Sequence, residues 1–134
     1  MTVETIDVVA AVIRKDDEIL VCQRNLEKRH GGLWEFPGGK VLAKENFEDA
    51  LHREILEELA VEVSLVGSTL YSARDGASPF LIHFIEATIS GIPVALEHPA
   101  IEWQTIGAIG KLAMAPADKE FVLEYLSHIT EGSA

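Results

Sequence analysis

The stretch from Gly38 to Val61, GGKVLAKENFEDALHREILEELAV, constrains this chain more than any other. From Glu45 to Leu59 it holds no glycine or proline, and its apolar residues recur at helical spacing, which predicts one helix. A helical residue turns about 100° from the last, so Glu54, Glu57 and Glu58 share one face. Leu51, Ile55 and Leu59 form the adjoining stripe, the natural contact with a core. The acids therefore stand beside buried surface and not opposite it. Like charges at this spacing cost about 0.2–0.5 kcal/mol per pair in water, and more when partly desolvated. A hard divalent cation is the simplest compensation, since carboxylate and carbonyl oxygens suit magnesium or manganese. The bland alternative is a solvated acidic face, as most charge runs are.

Composition narrows the setting. At 134 residues the chain reads as one domain, 1–134, with 48% hydrophobic and 25% charged residues, a globular balance. A formal net charge of −11 argues against gripping a nucleic-acid polymer. It leaves room for a small anionic substrate, because a bound metal reverses the local sign. The only cysteine, Cys22, allows no disulfide within the chain, which fits a reducing compartment. Met1 is followed by Thr-Val-Glu-Thr, unlike a signal segment, and no apolar run approaches the roughly 20 residues of a membrane span. The expected location is the cytoplasm, with no membrane partner.

The remaining segments supply strands around that helix. Ile6 to Ile13 is rich in Val, Ile and Ala; KDDE reads as a turn, and ILVCQR as a second strand closing a hairpin. NLEKRHGG reads as a loop, and LWEFPGGK as a short apolar stretch stopped by Pro37 and two glycines. VEVSLVGSTLYSAR and FLIHFIEATIS are strand-like, GIPVALEHPA is a loop, and IEWQTI is a short strand. Asp118 to Ile129 has the spacing of an amphipathic helix. Strands on both sides of one central helix, with another helix at the end, predict an α/β domain with a mixed sheet between helices.

The central stretch resembles the Nudix box, G-x5-E-x7-R-E-U-x-E-E-x-G-U with U a bulky apolar residue. Gly39, Glu45, Arg53, Glu54, Ile55, Glu57, Glu58 and Val61 match it. GLWEFPGGK, and later EHPAIEW and LAMAPADKEF, look like the MutT-type branch, whose members hydrolyse nucleoside triphosphates. Within it, the tail looks closest to enzymes acting on CTP and other pyrimidine nucleotides. Ala60 departs from the pattern, standing where the box has a glycine that ends the helix in a left-handed turn. Either Ala60 is strained or the helix ends differently. Lys44 and Leu42 depart from residues common in relatives, at unconstrained box positions.

The resemblance implies the Nudix fold and a metal-dependent hydrolysis of a nucleoside diphosphate linked to another group. It makes Glu54, Glu57 and Glu58 metal ligands, with a carbonyl of Gly38 or Gly39 helping; without the box the glycines read as a plain turn. It has Arg53 pair with Glu45 and fix the adjacent glutamate, a role compatible with the plainer reading of a purely structural ion pair. Glu97 matches a glutamate that binds metal or activates water, and is otherwise a surface acid. The general base stays open among Glu54, Glu57 and Glu97. Arg24 and Lys40 read as phosphate contacts or as solvated cations. Asp118 either reads the base edge or caps the last helix. Phe36, Trp34 and Phe80 either stack on a base or belong to the core. His30, His52, His83, His98 and His128 show no ligand spacing and read as structural.

Three functions compete. The first is a magnesium- or manganese-dependent nucleoside triphosphate pyrophosphohydrolase, releasing a monophosphate and pyrophosphate, on CTP, another pyrimidine nucleotide or an oxidised purine nucleotide. The second is a Nudix hydrolase of a nucleotide sugar or dinucleotide. The third is a non-catalytic ligand-binding module, which the intact carboxylates disfavour. Either a monomer or a homodimer would serve the first two.

Overall fold

Residues Val9 to Ile13 are all buried, five in succession, as in a strand covered on both faces. They lie in β1 (Ile6–Lys15), the centre of a mixed sheet in a computed structural model that describes residues 4–131. β1 turns at Asp16, in left-handed backbone with φ 57°, into β2 (Glu18–Gln23). The two pair only at Arg14–Ile19 and Lys15–Glu18 and then part. β3 (Trp34–Glu35) pairs with β2, and β4 (Gly38–Lys40) pairs antiparallel with Val8–Ala10 of β1. The short apolar stretch of the sequence thus becomes two small strands that bridge the parting of the hairpin.

α1 (Phe47–Leu59) starts two residues later than its apolar spacing suggests. Asn46 caps it, its side chain accepting from the Asp49 N–H at 2.7 Å, and Glu45 is engaged elsewhere. β5 (Glu62–Arg74) and β6 (Phe80–Ser90) pair antiparallel, and β6 runs parallel to β1 from Ile6–Phe80 to Ile13–Ala87. β7 (Ala100–Thr105) pairs with β2, and the short helix α2 (Ile106–Ile109) follows it. The last helix begins at Pro116, not Asp118: α3 (Pro116–Phe121) leads through a wide π turn (Val122–Leu126) into α4 (Ser127–Glu131). The proline suits the first helical turn, where its missing N–H costs nothing.

Two cores follow from strand alternation. Val9, Ala11, Ile13 and Ile85 pack under Leu51, Ile55 and Leu59 of α1. Ala10, Val12, Val21 and Phe84 pack under Phe121, Val122 and Leu126. Helices therefore cover both faces of the sheet, as the residue pattern implies. No helix among the described residues is long and apolar enough to cross a membrane.

Candidate active site

The parting of β1 and β2 brings the glycines of β4 beneath α1. A Cβ on Gly38 would fall on the Val9 carbonyl, and one on Gly39 would fall on the Glu54 carboxylate. At Gly38 the obstacle is backbone, so only glycine fits, whereas at Gly39 it is the movable end of a side chain. Arg53 fixes the same corner. Its Nε and Nη2 donate to the two oxygens of Glu45, each at 2.9 Å, its Nη1 to Glu54 at 2.8 Å, and its Nη2 also to the Lys40 carbonyl. Glu45 additionally accepts from the Leu42 N–H. The Arg53 guanidinium and then that N–H hold the Glu45 carboxyl down at about 2, and the carboxylates raise Arg53 in turn.

Glu54 and Glu58 line a cleft of about 340 Å³ together with Gly38, Gly39 and Glu97. Glu57 does not line it. With a side chain 53% exposed, it meets Arg53 at 3.5 Å on the outer side of the helix. Since Glu57 and Glu58 differ by about 100° around the axis, the shared face divides at the cleft's edge. Glu58 is 4% exposed. Burial first, then the charges of Glu54, Glu35 and Glu97, push its carboxyl up to about 9. Its Oε2 is buried without a hydrogen-bond partner, as is Nδ1 of His98, whose Nε2 lies 3.5 Å from both Glu58 and Glu35.

His98 and Glu97 arrive on the segment after β6. Its backbone caps the end of α1, Val94 N–H donating to the Leu59 carbonyl and Leu96 N–H to that of Glu58. The helix itself stops at Ala60, in left-handed backbone at φ 57° and ψ 30°, so the strained alternative holds. Lys44 is also left-handed, at φ 66°.

Cations line the same cleft. Arg24 donates through Nη1 to Glu35 at 2.8 Å and through Nε to the Arg29 carbonyl. Lys40 holds its ammonium 5.2 Å over the Phe80 ring. Asp118 lies at the bottom, 4% exposed, accepting from the Phe36 N–H at 3.0 Å. Burial, then the Glu35 charge, push its carboxyl up to about 8. The cap of α3 is Ala115, without a side-chain bond, so capping is not the role of Asp118. Phe36 borders the cleft, but its ring is core, edge-on to Phe84 and Phe121. Its part in the site is the N–H that holds Asp118. Trp34 packs against the same core, while Phe80 stays at the cleft wall.

Glu35 and Asp75 are cleft residues that the sequence pattern does not single out, and His98, which shows no ligand spacing, lines the cleft beside them. Glu35 stands next to the candidate Phe36, but its links to Arg24 and His98 span distant segments.

The donor set suits a hard cation. Glu35, Glu54, Glu58 and Glu97 are among the carboxylates that border one cleft, and the buried Oε2 of Glu58 has no hydrogen-bond partner. The fit is one of donor chemistry: as the side chains stand, no three or more His, Cys, Asp or Glu groups among the described residues converge closely enough to hold an ion.

The NUDIX domain family matches residues 4–125. A CTP pyrophosphohydrolase of Escherichia coli (strain K12) is 39% identical over 116 residues, 84% of this chain and 85% of the relative. An 8-oxo-dGTP diphosphatase of Proteus vulgaris is 44% identical over 50 residues, 37% of this chain and 45% of the relative. Among solved structures, the E. coli ORF135 protein superposes with a TM-score of 0.80 at 34% identity, covering 96% of this chain and 93% of that one. Matched over nearly its whole length in sequence and in fold, the chain belongs to the Nudix family of hydrolases.

Proposed function

We propose that this protein hydrolyses a nucleoside triphosphate to the monophosphate and pyrophosphate, in a reaction that depends on magnesium or manganese. The carrying observation is one cleft that joins a carboxylate cluster, a cationic wall and a buried carboxylate at its base. The names of the relatives, a CTP pyrophosphohydrolase and 8-oxo-dGTP diphosphatases, support the same substrate class.

Glu54, Glu58 and Glu97, with a carbonyl of Gly38 or Gly39, would hold the cation, and Glu57 belongs to the set by the box resemblance. When bound, the cation neutralises phosphate charge and makes a water nucleophilic near neutral pH. The chain's own residues do the rest. Arg53 keeps Glu54 turned to the cleft by pairing with it and with Glu45. Arg24 and Lys40 offer positive charge to the phosphate chain. A carboxylate among Glu54, Glu57 and Glu97 takes the proton of the attacking water. Asp118 faces the base: ionised it selects donors such as an exocyclic amine, and protonated it also donates. Free, buried Cys22 suits a reducing compartment, and we place the protein in the cytoplasm as a single domain.

The test is a panel of natural and 8-oxo nucleoside triphosphates, nucleotide sugars and dinucleotides with magnesium, scored by released pyrophosphate and monophosphate. Turnover of triphosphates to monophosphate supports the reading. Preference for a nucleotide sugar or dinucleotide moves the substrate to another diphosphate linkage.

A further inference from the structure

Asp75 is the buried acid that the hydrolytic assignment leaves unused. It is only 8% exposed, although it sits in the connection between β5 and β6. Its backbone fixes it there: its N–H donates to the Phe80 carbonyl, and its carbonyl accepts from the Ser78 N–H and hydroxyl. The carboxylate reaches across to the β2–β3 loop. Oδ1 and Oδ2 lie 3.1 and 3.2 Å from His30 Nε2, and Oδ2 lies 3.4 Å from Arg29 Nε. All three residues line the cleft. The same loop is tied on its other side, where Asn25 Nδ2 donates to the Glu97 carbonyl at 2.8 Å. It thus spans the cleft from the acidic segment to the β5–β6 turn. His30 bends it in left-handed backbone at φ 59°, and Gly31 packs where a Cβ would strike the Asn25 and Leu26 carbonyls.

The loop concentrates positive charge in a chain that is otherwise acidic. Arg24, Lys28 and Arg29 line the cleft in a protein of net charge −11. Arg24 is already engaged by Glu35, whereas Lys28 is exposed. A triphosphate meeting this wall gains most when the cations are held in place beforehand, because ordering a loop at binding subtracts from affinity.

We propose that Asp75 is a latch: a positioning residue that holds Arg29 and His30, and with them the cationic wall of Lys28 and Arg29, in place for the phosphate chain of the substrate. This rests on the nucleoside triphosphate reading above. The opposite arrangement, in which Asp75 competes with phosphate for Arg29, gives the opposite change in KM.

The test compares wild type with Asp75→Asn in two readouts. The first is steady-state kinetics on the best triphosphate. Loss of the latch raises KM about tenfold while kcat falls less than twofold, because binding and not the chemical step loses preorganisation. The second needs no turnover. Trypsin cleaves after Lys28 and Arg29, and Asp75→Asn is nicked there several times faster than wild type, with cleavage after Lys111 as the internal reference. Unchanged KM and unchanged nicking overturn the latch; a lowered KM overturns it in favour of competition. If Asp75→Asn does not fold, Arg29→Met leaves the buried turn intact and must show faster nicking at Lys28. A wild-type protein inactive on every triphosphate refutes the substrate reading, while the nicking comparison still decides whether the latch exists.

Discussion

The carboxylate of Glu54 lies against the backbone of Gly39, in the space a side chain at residue 39 would fill. A helix residue and a strand residue thus share one corner of the cleft. Gly39→Ala puts a methyl group there, and the flexible end of Glu54 yields before the backbone does. The fold survives with a small change in melting temperature, while kcat/KM falls by about 100-fold, since misplacing the proposed ligand degrades the reacting geometry. A manganese titration by calorimetry checks the cause: the affinity of Gly39→Ala for the ion drops with activity.

Without the proposed cation, an ionised Glu58 penalises the fold. Its ordinary carboxyl value of 4.5 is pushed up to about 9, so the folded state holds a proton that the unfolded chain releases. The penalty is absent below 4.5, where both states are protonated, and grows as pH rises toward 9. In EDTA, Glu58→Gln is therefore more stable than wild type at about pH 8, and the two converge near pH 4. Magnesium reverses the order, raising the wild-type melting temperature by about 5 °C and leaving the variant unmoved. Thermal unfolding with and without the ion measures both effects. Full hydrolytic rate in excess EDTA contradicts the metal assignment.

Glu45 has the opposite sign. Its carboxyl is held down at about 2 by Arg53, from an ordinary 4.5, so its stabilisation is present above 4.5 and lost as pH falls toward 2. The melting-temperature gap between wild type and Glu45→Gln stays constant from about pH 7 to 5, narrows below 4.5 and closes near pH 2. Because the guanidinium grips both oxygens, Arg53→Lys does not preserve the gap.

Ala60→Gly stabilises the protein by about 1 kcal/mol, since a left-handed residue without a Cβ escapes its clash with the backbone. Ala60 is exposed and loses no packing in the exchange. Urea unfolding provides the number. A variant less stable than wild type contradicts a left-handed end to α1.

Asp118→Asn changes the ranking of bases. It swaps an acceptor for donors at nearly constant shape, and a buried polar edge left unpaired is strongly discriminated against. The kcat/KM profile over natural and 8-oxo triphosphates shifts by at least about tenfold between bases. A profile altered only by a common factor means the base is read elsewhere. Stability carries a second signature. The carboxyl rises from 3.8 to about 8, so wild type loses stability against Asp118→Asn as pH rises through that interval.

The readable parts of this molecule are those whose causes are local. The period of α1 places Glu54 and Glu58 beside the stripe of Leu51, Ile55 and Leu59, because a helix writes its faces at fixed spacing. Ala60 is marked only by the box resemblance, which leaves open a strained residue or a different helix end; the left-handed backbone decides between them. Relations between distant segments are not legible. Glu35, Asp75 and His98 gain their meaning from partners far along the chain, and no spacing rule links them. An aromatic residue such as Phe36 draws the eye to its ring, whereas its N–H is what meets Asp118. Asp118 resembles a cap because it stands near a helix start, but Pro116 opens that helix earlier. Glu57 groups with its neighbours in the sequence because helical spacing defines a face only to within a residue's width. The cleft's edge falls inside that width.

The parallel pairing of β1 with β6 has a consequence for how the chain comes to be folded. Ile6 to Ile13 find their partners at Phe80 to Ala87, so the central strand is completed by residues synthesised long after it. Until β6 emerges, five consecutive apolar residues of β1 lack their principal neighbour and stay open to other chains. Assembly is therefore gated by the late arrival of β6, and a fragment ending before Phe80 exposes a sticky strand that the complete domain keeps at its centre.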